Sequence, residues 1–304
     1  EAEMTLLNAY RSGRIPHAWL IGGPQGIGKA TLAYRMARFV LANANPTAPS
    51  VQHAETLALD PHDSVARQVG ANAHGGLLVL ERGLNDRGVL RTVITVDETR
   101  ETISFFGSTA AVDGWRVCIV DTVDELNPNA ANALLKILEE PPQRSLFLLV
   151  SHSPARALPT ILSRCRKLPL RPLATADVIR AAARAADMAP DDPALVEAAE
   201  AAEGSVSRAL TLLGGDALKL QQRTAALLAT LPRVDPRELH ALGDALGTSD
   251  RVALAAFIDG IDRWIAAQLR VGDANANLPR LARLAEVWEK IVRAARDTES
   301  YNLE

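Results

Sequence analysis

The stretch Ile21-Gly22-Gly23-Pro24-Gln25-Gly26-Ile27-Gly28-Lys29-Ala30-Thr31 constrains the fold of this chain more than any other. An apolar run, Ala18-Trp19-Leu20-Ile21, enters it. A helical pattern leaves it, with Leu32, Met36, Phe39 and Val40 on one face. Strand, glycine-rich turn and helix together turn G-x-x-x-x-G-K into a phosphate cradle. Backbone N–H groups of the turn point inward, the helix presents its positive end, and the lysine adds a point charge. Gly23, Gly26, Gly28 and Lys29 are therefore the candidate ligands for the phosphates of ATP or ADP. One position departs from the pattern. The residue after the lysine normally carries a hydroxyl for Mg²⁺, and here it is Ala30, with Thr31 one place further on. Mg²⁺ binding is predicted to be weakened, and Thr31 is the hydroxyl that remains.

At 304 residues the chain has room for two or three domains. Apolar residues make up 48% but aromatics only 4%, so the cores are expected to be built from Ala, Leu, Val and Ile. A formal net charge of −3 argues against a protein that grips DNA by bulk electrostatics. Two cysteines, Cys118 and Cys165, are too few for a disulfide framework or a four-cysteine zinc site. No apolar run approaches the roughly 18 residues that cross a bilayer, and no signal-peptide pattern is present. The expectation is a soluble cytoplasmic protein with no membrane partner.

Residues 1–16 carry a short helical pattern with Met4, Leu6, Leu7 and Tyr10. The helix after the glycine loop is predicted to end near Asn43, and residues 44–76 read as a solvent-facing loop with a short helix. His53, His62 and His74 in that segment fit no metal spacing, so no zinc is expected. Leu77–Leu80 reads as a second buried strand, Trp115–Asp121 as a hydrophobic strand ending in a carboxylate, and Leu146–Val150 and Arg166–Leu170 as the fourth and fifth strands. A helix capped by Asp97, with Thr99, Ile103 and Phe106 inward, precedes the strand ending in Asp121. A second follows Asn127-Pro128 and stops at Pro141-Pro142. Strands alternating with helices predict a parallel sheet with helices on both faces and ligand at the strands' carboxyl ends. After Arg171-Pro172 only helical patterns occur: Ala174–Met188, Pro193–Ala202 and Val206–Leu213, then longer helices beyond Gly214-Gly215. One of these carries Leu254, Phe257, Ile258, Ile261 and Ile265, and another Leu281, Leu284, Trp288 and Ile291; both stripes read as core.

A phosphate cradle needs a carboxylate on a neighbouring strand for the Mg²⁺ shell, and an ATPase needs a second to orient water. Asp121 is placed for the first role. For the second, the position directly after it holds Thr122. Asp124 and Glu125 lie two or three residues further on, where orientation is lost, and they read as ordinary acidic residues before a helix.

Two stretches are more specific than the glycine loop. Asn129-Ala130-Ala131-Asn132-Ala133-Leu134-Leu135-Lys136-Ile137-Leu138-Glu139-Glu140-Pro141-Pro142 resembles the hallmark of bacterial clamp-loader subunits of the AAA+ superfamily. So does Leu158-Pro159-Thr160-Ile161-Leu162-Ser163-Arg164-Cys165, which contains their Ser-Arg-Cys motif. Pro16-His17-Ala18-Trp19 and Gly204-Ser205 before Arg208 fit the same family. Ala30, Thr122 and the absence of cysteines from residues 44–76 make the chain similar to the delta-prime family rather than to the gamma and tau motor subunits.

The resemblance implies a RecA-like AAA+ α/β domain over 1–170, a three-helix lid over 171–213 and an all-α collar over 214–304. It also implies that the family continues past Glu304 with a further collar helix. It implies a subunit that has lost hydrolysis, sits with gamma/tau and delta subunits, and helps load the sliding clamp onto primed DNA. Arg164 is then an arginine finger for the next subunit's ATP, and Arg208 resembles a sensor arginine of the lid. Its place is shifted by one, since Ser207 stands at the expected position. Ser151 would be the polar sensor at the tip of its strand. The subunit's own pocket is left as either a passive clip for ATP or ADP or a bare scaffold. Two other readings compete: a gamma-type ATPase using Thr31 and Glu125, and, more remotely, a small-molecule P-loop kinase.

Overall fold

The computed structural model describes residues 1–83, 91, 93–107, 114–213, 216–231, 233–247, 251–270, 282–283, 285–291 and 293–294. The chain divides into two compact units, Glu1–Pro172 and Leu173–Glu304.

The first unit runs α1 (Ala2–Arg11), β1 (Ala18–Gly22), α2 (Lys29–Ala42), α3 (Pro49–Gln52), α4 (Ser64–Gly70), β2 (Leu77–Glu81), α5 (Val96–Gly107), β3 (Arg116–Asp121), α6 (Pro128–Glu139), β4 (Ser145–Ser151), α7 (Pro159–Leu162) and β5 (Arg166–Pro169). The strands form one parallel sheet in the order β2-β3-β4-β1-β5. β1 is interior and buried along its whole length. Its alternate side chains feed two cores, as the two-residue period of a strand requires. Trp19 and Ile21 join Leu6, Leu7, Tyr10 and the α2 face of Met36, Phe39 and Val40. Ala18 and Leu20 join Phe106 of α5, Leu134 and Leu138 of α6, and Phe147 of β4. Helices thus cover both faces, and each fully buried large side chain contributes roughly 2–3 kcal/mol of transfer free energy.

Several local expectations change. Met4 is exposed, because Leu6, Leu7 and Tyr10 already fill the buried stripe of α1. Residues 44–76 are not merely solvent-facing: Val51 and Leu57 are sealed into the core beside α1, and Leu57 N donates to Glu3 Oε1 at 2.7 Å. The helix expected to start behind Asp97 starts earlier, at Val96. Thr95 flanks it; the Glu98 carboxylate accepts from Thr95 N at 2.6 Å, and Glu98 N donates back to Thr95 Oγ1 at 3.5 Å. That is the reciprocal pattern of a capping box. Thr99 and Phe106 face inward as expected; the Ile103 side chain lies outside the described residues. Cys118 and Cys165 are free buried thiols, and burial raises the pKa of both.

The second unit is helical among its described residues: α8 (Thr175–Ala186), α9 (Pro193–Ala201), α10 (Val206–Leu212), α11 (Asp216–Ala229), α12 (Pro236–Gly247) and α13 (Arg251–Arg270). α8, α9 and α10 enclose a small core of Val178, Ala182, Leu195, Ala199 and Ala209. Ile265 of α13 is buried, whereas Trp288 in the helical segment 285–291 is exposed, so that stripe is not closed among the described residues. Leu281 and Leu284 lie outside the described residues. No described helix is long and apolar enough to cross a membrane.

Candidate nucleotide site

The glycine loop leaves β1 at the carboxyl edge of the sheet, between the ends of β4 and β5. Gly23 N donates to Ser151 O at 3.2 Å and Leu170 N donates to Gly22 O at 2.7 Å. Gly26 and Gly28 have φ of 77° and 91°, the left-handed region that glycine enters without steric cost. Gly28 flanks α2 without a side-chain cap, so the first N–H groups of the helix are left for whatever the loop encloses. This backbone fits a phosphate group. It does not complete an Mg²⁺ shell, because Ala30 offers no oxygen and Thr31 is exposed.

Lys29 is buried and its Nζ donates to Pro24 O, so the lysine bridges its own loop. Burial pushes its pKa down to about 8, with Asp121 and Asp124 pulling it back up. A phosphate favours the ammonium form. Binding is therefore expected to take up a proton above pH 8, and affinity should fall by up to roughly tenfold per pH unit as pH rises beyond that value. Calorimetric titration of ADP in buffers of different ionisation enthalpy measures this uptake. A Lys29→Met variant should show none of it.

Asp121 ends β3, in register with Glu81 of β2 and Val150 of β4. Burial raises its pKa, and Glu81 adds to the rise while Lys29 and Arg82 oppose it. Beside it a cleft of about 250 Å³ is lined by Glu81, Arg82, Asp121, Thr122, Glu125 and His152. Asp124 and Glu125, expected to be ordinary surface acids, are both engaged. Asp124 Oδ1 accepts from Ser151 Oγ at 2.7 Å, and its Oδ2 accepts from the backbone N–H groups of His152 at 2.5 Å and Ser153 at 3.1 Å. It clamps the tip of β4 and holds the Ser151 hydroxyl. Glu125 pairs with Arg82 Nε at 2.9 Å. Burial raises its pKa and Arg82 counteracts that. Burial likewise lowers that of His152.

Sequence reasoning missed Arg82, Glu81 and His152. Each stands at or just past the carboxyl end of a strand, which is where a parallel sheet presents its ligands.

Arg164 stands apart from this group, on the turn between α7 and β5. Its Nη2 donates to Glu139 Oε1 at 2.5 Å, and its Nη1 to Thr160 O at 2.9 Å and Ser163 Oγ at 3.3 Å. Arg208 belongs to the second unit. It is nearly buried there between Glu203 at 3.7 Å and Asp259 of α13 at 3.9 Å. Burial lowers its pKa, and both carboxylates oppose the shift. Among the described residues no group of His, Cys, Asp and Glu is arranged to hold a metal ion.

The profile of the family described as DNA polymerase III, delta subunit, matches residues 1–174. The chain belongs to that family. Among its relatives, DNA polymerase III subunit delta' of Pseudomonas aeruginosa is 37% identical over 149 residues, 49% of this chain and 41% of that protein. The delta' subunit of Escherichia coli is 32% identical over 224 residues, 74% of this chain and 62% of that one. The gamma/tau subunit of Mycobacterium bovis is 34% identical over 163 residues, 54% of this chain and 26% of that protein. The chain thus spans less than two thirds of the length of these relatives. Delta' and gamma/tau relatives match it at similar identity, so identity alone does not separate the two.

Proposed function

We propose that this clamp-loader subunit does not hydrolyse ATP itself. It is a fixed member of a complex with gamma/tau and delta subunits that loads the sliding clamp onto primed DNA, and its Arg164 serves a neighbour's ATP. The observation that carries this reading is the chemistry around Asp121. Thr122 follows it where a water-orienting carboxylate belongs, Asp124 is bound by the tip of β4, and Glu125 is bound by Arg82. With Ala30 also lacking the Mg²⁺ hydroxyl, both requirements for in-line attack by water are unmet. The same two carboxylate contacts weigh against the gamma-type alternative, which needs Glu125 free. Retention of the glycine cradle and Lys29 is compatible with ATP or ADP held as a passive clip.

Contact with DNA has a candidate surface. Val96, Arg100, Asn129, Asn132, Ala133 and Lys136 line a cleft of about 430 Å³ on α5 and α6. Two cations among amides are what phosphate backbones meet, and such local contacts suit a chain whose overall charge is slightly negative.

The test is reconstitution with gamma/tau, delta and a fluorescently labelled clamp on primed DNA. Loading should require this chain, and a Lys29→Ala variant should support it as well as the unmodified chain. Loading that proceeds without the chain, or that fails with Lys29→Ala while the complex still assembles, contradicts the proposal.

A further inference from the structure

The Arg164 side chain is held in a specific way. Three of its five N–H groups are engaged within the chain, two from Nη1 to Thr160 O and Ser163 Oγ and one from Nη2 to Glu139 Oε1. Nε makes no such bond among the described residues, and the Nε–Nη2 edge is one with which a guanidinium grips a carboxylate or phosphate in bidentate fashion. The backbone beneath is fixed as well, since Arg164 N donates to Ile161 O at 3.1 Å.

Glu139 is the last residue of α6. A carboxylate there faces the negative end of the helix dipole, so helix stability does not account for it. Arg164 does. The two side chains are 34% and 51% exposed, and a pair that wet is weak enough to be exchanged for a stronger anion.

We propose that Glu139 is a positioning residue for Arg164: it holds the guanidinium oriented in the free subunit and yields it to the phosphate of a neighbouring chain's nucleotide. The proposal rests on the trans role of Arg164 argued above. It assigns a task to one of the paired glutamates of the clamp-loader hallmark. The pair is intramolecular and Arg164 then acts intermolecularly, so the carboxylate affects the neighbour's turnover without touching its nucleotide.

The experiment uses the assembled complex and follows ATP hydrolysis at the one motor site that Arg164 serves, the other sites being inactivated, with this chain as Glu139→Gln, Glu139→Asp, Arg164→Ala, or Glu139→Gln combined with Arg164→Ala. Glu139→Gln should lower kcat by about two- to fivefold, the range of an exposed pair, with KM for ATP changed less. Glu139→Asp should keep most of the activity. In the Arg164→Ala background Glu139→Gln should have no further effect, the signature of two residues acting as one unit. Unchanged kcat for Glu139→Gln, or a loss that adds in full to that of Arg164→Ala, overturns the role of Glu139 while leaving the trans arginine intact. If Arg164→Ala itself changes nothing, both fall together.

Discussion

Arg164→Ala is expected to slow ATP turnover at the one neighbouring site it serves by roughly 10³-fold, the lower end of what arginine fingers supply in GTPase systems. The variant should fold and assemble normally. Its side chain is about one third exposed, and its ion pair to Glu139 lies at the surface, so its loss costs at most about 1 kcal/mol. On the proposed assembly, in which Arg164 serves a single site, bulk steady-state hydrolysis will understate the effect. Single-turnover hydrolysis with the served site isolated by inactivating the others is the appropriate measurement. Arg164→Lys should be intermediate, since it keeps the charge but loses the planar fork. An unchanged rate at that site would show that the arginine does no more than pair with Glu139.

The largest expected loss of stability comes from Gly23→Ala. A Cβ at Gly23 would meet Leu170 O at 2.6 Å and Ile27 Cδ1 at 3.0 Å, and the φ of 154° strains any side chain there. Ile27 can turn away. Leu170 cannot, because its own N–H is bonded to Gly22 O at 2.7 Å and β5 pairs with β1 up to Pro169. Overpacking against fixed backbone, added to the strained φ, predicts a loss of about 2–4 kcal/mol. Gly28→Ala meets open space and strains only a φ of 91°, which predicts about 1–2 kcal/mol. Denaturant unfolding followed by circular dichroism compares the two. If Gly23→Ala proves as stable as the unmodified protein, the loop does not pack against β5 as described.

The parallel sheet was legible because a strand buried on both faces must be continuously apolar. Leu146–Val150 and Val117–Val120 have no other reason to be so. The glycine loop was legible because its chemistry is local. What escaped were contacts between residues far apart in the chain. Asp124 acquires its role from backbone groups 28 and 29 residues later. Arg164 meets a carboxylate 25 residues earlier. Neither separation leaves a periodic trace. Val51 and Leu57 were missed because short irregular segments bury single side chains without a repeat. Arg208 lies in α10 behind Gly204-Ser205, and the motif gave no sign of its pairing with Glu203 and Asp259 within the second unit.

The central claim is that this subunit keeps the shape of an ATPase without its chemistry, and acts through Arg164 on another chain. ATP hydrolysis by the purified chain, alone and in excess over nucleotide, tests the first half directly. The account predicts release of phosphate no faster than that of a Lys29→Ala variant. Robust turnover abolished by Lys29→Ala would contradict it and make Thr31 and Glu125 the residues to pursue.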